Sequence, residues 1–100
     1  MAAKKRTTET KVVETAFRLA GFKNTEAYRQ NRACIKIRVV DKRFNGMTLS
    51  DRDDMAEPVL RSLPEEIQQD IMVLLLLSPR ELRNSLANME FEHPVPSMLS

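Results

Sequence analysis

One hundred residues with a formal net charge of +2 make a single domain with room for one modest core. At 42% hydrophobic and 30% charged, the composition is that of a soluble globular chain, and no apolar run approaches the roughly 20 residues that span a bilayer. Five aromatic residues supply few stacking platforms for single-stranded nucleic acid, and a lone cysteine, Cys34, excludes an internal disulfide and fits a reducing, cytoplasmic setting.

The charge is split along the chain. Residues 1–43 carry 12 Lys and Arg against 4 acids, a net of +8; residues 44–100 carry 4 Arg against 10 acids, a net of −6. Such a split fits an anion-binding half, head-to-tail association, or halves that interleave and cancel.

Residues 1–7 form a short basic tail without apolar periodicity or a secretory h-region, and disorder is expected there. A first helix is expected from Thr8, as cap, to Ala20, with Val13, Phe17 and Ala20 on one face and Gly21 as a left-handed stop. Residues 24–31 read as either a short helix or an irregular strand, and propensity favours helix. Ala33 to Val40 alternates as a strand: Ile35, Ile37 and Val39 point to a core, and Cys34, Lys36 and Arg38 point to a basic, wet face.

Gly46 then allows a turn, and Thr48 caps a second helix with Asp51, Asp53 and Asp54 in its first turns. Pro58 is expected to kink or split that helix, and Leu63-Pro64-Glu65 starts a short one running to about Gln69. IMVLLLLS, residues 71–78, reads as a strand apolar on both faces, with Met72, Leu74 and Leu76 on one and Val73, Leu75 and Leu77 on the other. Ser78-Pro79-Arg80-Glu81 is a helix start, with Leu82, Leu86 and Met89 as the buried stripe, before a proline-containing tail over 91–100. The fold expected is α+β, a small three-stranded sheet with helices packed mainly on one face, the domain spanning residues 8–90.

ACIKIRVVDKRFNGMTLSDRDDM, residues 33–55, resembles the BolA family of stress-induced morphogens. Its hallmark strand end, F-x-G-[LM]-[ST]-L and helix arginine match Val39, Val40, Phe44, Gly46, Met47, Thr48, Leu49 and Arg52. LLLLSPREL is similar to the family's last strand and following turn, and the resemblance covers roughly residues 9–85. It implies a class II KH-like sheet, a monothiol glutaredoxin as partner around a shared iron–sulfur cluster, and for some members transcriptional regulation. The family's cluster-ligating histidine falls at Asp53 here, and a second frequent histidine falls at Asp70. A hard carboxylate suits an iron–sulfur cluster poorly, so standard shared [2Fe–2S] binding is not expected.

The acidic turn itself is explained by helix-dipole matching, worth about 0.3–1 kcal/mol per acid, and no DxDxDG loop accompanies it. Cys34 is a weak alternative cofactor ligand, its thiol expected to be acidified by Lys36 and Arg38. His93, alone in the tail, offers no dyad for catalysis. The chain therefore reads as a noncatalytic interaction module without a bound metal or cofactor. One alternative is a nucleic-acid-binding regulator using Arg29, Arg32, Lys36, Arg38, Lys42 and Arg43, although no GxxG clamp is present. Another is self-association, as a homodimer, through a partner surface of Val73, Leu75 and Leu77, unless Phe91 and Met98 fold back over it.

Overall fold

The computed structural model describes residues 4–94. The elements run α1 (Thr8–Leu19), β1 (Thr25–Asn31), β2 (Cys34–Val40), α2 (Leu49–Ser62), α3 (Glu65–Gln68), β3 (Ile71–Leu77) and α4 (Leu86–Glu92), with 3-10 turns at Lys42–Phe44 and Pro79–Glu81. The sheet order is β1-β2-β3, with β1 antiparallel and β3 parallel to β2. This is the expected α+β class with a small three-stranded sheet.

One face of the sheet carries the core. Ala27, Ile35, Ile37, Val39 and Leu76 meet Val13 and Phe17 of α1 and Ala56 and Val59 of α2. Helix α1 starts one residue earlier than expected: Thr7 is its cap and closes a reciprocal box with Thr10. It ends as expected at Gly21, φ +99°. The Phe22 and Gly21 N–H groups donate back to the Phe17 and Arg18 carbonyls, and the Phe22 ring lies 5.8 Å from Phe17.

Residues 25–31 form a strand, not the helix that propensity favoured. Pairing with β2 decides it, because Thr25 and Ala27 turn into the core opposite Val39 and Ile37. The buried Glu14 carboxylate also accepts from the Ala27 N–H, 2.9 Å away. Pro58 does not split α2, which runs unbroken through it; Asp54 and Pro58 both lie on the exposed side, so the missing hydrogen bond leaves a carbonyl near solvent.

Strand β3 carries a bulge opposite Ile35/Lys36, which takes Met72 out of the alternation. Met72 is exposed instead of facing the core, and Ile71 packs against the core in its place. The Ser78–Glu81 capping box forms, but it starts only a 3-10 turn; Ser85 caps the true last helix by accepting from Asn88 N–H. That later start changes the buried stripe. Leu86 and Met89 are 82% and 57% exposed, and Asn88 and Phe91 are the buried positions.

Helix α4 covers the second face of the sheet, so the expected wet basic face is dry. The Phe91 ring packs edge-on to Tyr28 at 4.8 Å, and the Tyr28 hydroxyl donates to the Phe91 carbonyl at 2.7 Å. Burial, with Cys34 and nearby carboxylates, pushes the Tyr28 phenol up to about 12. Lys36 is buried, and Arg38 lies over the Phe91 ring and pairs with Glu26 and Glu92. Where disorder was expected in the basic tail, Lys5 bridges Arg29 on β1, and Lys4 pairs with Glu92. The two charge-biased halves thus interleave. Residues 91–94 also belong to the fold, while Met98 lies outside the described residues.

Candidate functional site

The loop after β2 is set by two backbone features. Asp41 accepts from Arg43 N–H in the 3-10 turn, and Gly46 sits at φ +78°, where a side chain would be strained. Phe44 is buried beneath the loop. Thr48 then caps α2 by accepting from Asp51 N–H at 3.1 Å.

The first turn of α2 separates its charges. Arg52 turns inward and is 4% exposed, whereas Asp51, Asp53 and Asp54 face solvent. The Arg52 guanidinium donates to the Met47 carbonyl, to the Leu76 carbonyl at 2.9 Å, and to both oxygens of Glu81 at 2.7 and 3.2 Å. Glu81 also accepts from Ser78 N–H at 2.8 Å. These bonds, the Arg52 one foremost, hold the Glu81 carboxyl down at about 2. One fork therefore ties together the glycine loop, the end of β3 and the turn that follows it.

Beside the fork lies an open cleft of about 490 Å³, lined by Asn45, Gly46, Arg52, Ser78, Glu81 and Arg80 among others. Its only buried charge, Arg52, is already neutralised by Glu81.

Cys34 lies at the opposite end of the sheet. Arg52 contacts Leu76, which pairs with Val39, five residues along β2 from Cys34, or roughly 16 Å at strand rise. Asp53 and Cys34 are therefore not brought together. Burial pushes the Cys34 thiol up and outweighs the Lys36 and Arg29 charges, contrary to the expected acidification. Asp70, the other position of interest, is held by Arg29 at 3.0 Å. Among the described residues no three His, Cys, Asp or Glu side chains gather as a metal site, and His93 is exposed at the end of α4.

The six candidate cations do not share a surface. Arg29 sits on the core side of the sheet edge, between Glu9 and Asp70. Lys36 and Arg38 are on the other side, under α4. Arg43 pairs with Asp41, which it holds below the usual carboxylate range, and stacks on Phe22. Arg32 and Lys42 are exposed, at the β1–β2 turn and in the turn after β2 respectively.

Val73, Leu75 and Leu77 do line one face, beside Lys36, Arg38 and Val40. Leu77 is buried and the other two are half-buried, on the face where Phe91 docks.

Two charged features, the Arg52–Glu81 fork and the buried Glu14, are not among the sequence-predicted site residues. Arg52–Glu81 has a signal in the Ser-Pro-x-Glu box, whose glutamate serves the fork as well as the turn start. Glu14 has one too: it stands beside Val13 and Phe17 on an apolar stripe, a placement that asks for a buried partner. No family model, curated protein or solved structure matches this chain.

Proposed function

We propose that this chain is a noncatalytic BolA-like interaction and regulatory module that does without the standard glutaredoxin-shared [2Fe–2S] cluster. The support for the family is the Phe44-x-Gly46 loop running into Arg52, together with the helix-strand-strand-helix-helix-strand order. The observation that carries the loss of the cluster is Asp53. It is an exposed carboxylate at the ligand position, remote from the one thiol. The residues present do not fit the group: an iron–sulfur cluster takes thiolate or imidazole, and neither stands within that turn.

A monothiol glutaredoxin remains the proposed class of protein partner, met through surface contacts. The Arg52–Glu81 fork, with Arg52 buried and Glu81 at the surface, keeps the loop and the last strand in a fixed relation, which suits a docking surface more than a reacting centre. Anaerobic reconstitution of the two proteins together tests this. The expected result is visible absorption no greater than that of the glutaredoxin alone; a stable mixed cluster dependent on this chain overturns the proposal.

A further inference from the structure

The sheet has one closed edge and one open edge. At β1 the Ala27 N–H is taken by Glu14, and Arg29 exchanges both backbone bonds with Lys5. At β3 the Leu77 carbonyl accepts from Asp41 N–H, so alternate residues Leu75 and Val73 also turn towards β2, and Leu76 and Leu74 turn outward. Arg52 occupies the Leu76 carbonyl. The N–H and C=O of Leu74, turned away from β2, have no turn, cap or loop partner among the described residues.

The open strand also lacks the usual protection. Ile71 to Leu77 contains no charge, proline or glycine, where exposed edges normally carry one. Met72, bulged out of the ladder, is 66% exposed. The flanks are of opposite sign: Glu65 and Glu66 precede the strand, and Arg80 and Arg83 follow it. All four are exposed, and none makes an ion pair among the described residues.

We infer that the occupant of this edge is a second copy of the chain, paired antiparallel, β3 to β3, about a two-fold axis near Leu74. Antiparallel pairing sets the acidic start of one strand against the basic end of the other, and does so twice, as an isologous interface requires. It satisfies the outward Leu74 groups and leaves the Leu76 carbonyl with Arg52. It covers Met72 and continues the sheet from three strands to six. The inference stands on the sheet and its flanks and does not depend on the family resemblance.

Sedimentation equilibrium of the full chain tests it, with Met72→Lys and Arg80→Glu as variants and far-UV circular dichroism as the check on folding. The wild type is expected to sediment with twice the chain mass. Met72→Lys, which sets an ammonium group against the apolar edge strand of the other copy, is expected to give the monomer. Arg80→Glu lies outside the strand, keeps the test decisive if Met72→Lys misfolds, and is expected to weaken the dimer severalfold. A wild type that remains monomeric at the highest concentration reached overturns the inference, as does a dimer that folded Met72→Lys or Arg80→Glu leaves unchanged.

Discussion

At the β1 edge a buried glutamate and a bridging backbone segment take the strand's outward groups; at the β3 edge a single arginine holds one carbonyl. Both devices use charge to finish backbone, and both couple distant parts of the chain. Glu14 and Arg6 join α1 to the start of the described chain, and Arg52 and Glu81 join α2 to the turn after β3. The difference teaches where the fold is sealed and where it is left available. The sealed positions carry stability, and the exposed Met72 side chain carries almost none.

That contrast can be broken or sharpened by mutation. The largest effect is expected from Arg52→Ala, which strips three acceptors at once; chemical denaturation should show a loss of about 2–3 kcal/mol, as for charge-assisted bonds to buried groups. Glu14→Ala should follow, at roughly 1–3 kcal/mol, because it orphans the Ala27 N–H. Glu14→Gln keeps an acceptor for that N–H and should recover most of the loss.

Acid provides the third test. Glu81 titrates near its ordinary value of 4.5 when unfolded and at about 2 when folded. Its contribution is therefore complete above pH 4.5 and is lost as the pH falls towards 2. Arg52→Ala should flatten that part of the pH–stability curve, and an unchanged slope would show that the fork does not set it.

The smallest effect belongs to the open edge. Met72→Lys, measured at dilutions where the chain is monomeric, should shift stability by less than ~0.5 kcal/mol, as exposed substitutions do. A cost equal to that of Glu14→Ala would mean that the β3 edge is closed after all.

The elements with strong local signals were legible in the sequence. The β2 alternation, the Gly21 stop and the Thr48 cap each rest on local chemistry, and each is present where expected. The β1 strand was not legible, because pairing and one buried carboxylate outweigh the weak helical preference of residues 24–31. The last helix was misplaced because two serine caps compete. Ser78 with Glu81 has the fuller signature, but Glu81 is engaged by Arg52 across the fold, and the helix waits for Ser85. The cations of residues 29–43 looked like one patch because local sequence shows neither the β1–β2 pairing that puts Arg29 on the core side nor the docking of α4 over Lys36 and Arg38. Asp53 was legible as a position, and its exposure agrees with the capping and dipole account of the acidic turn.

On the proposed BolA-like reading this chain offers a partner surface alone, because the turn around Asp53 contains no thiolate or imidazole. The most direct measurement is visible circular dichroism after anaerobic reconstitution with a monothiol glutaredoxin, comparing the wild type with Asp53→His. The wild type should give no cluster signal beyond that of the glutaredoxin alone, and Asp53→His, which places an imidazole in the turn, should be the only one of the two able to add to it. A wild-type signal as strong as that of the histidine variant would contradict the proposal.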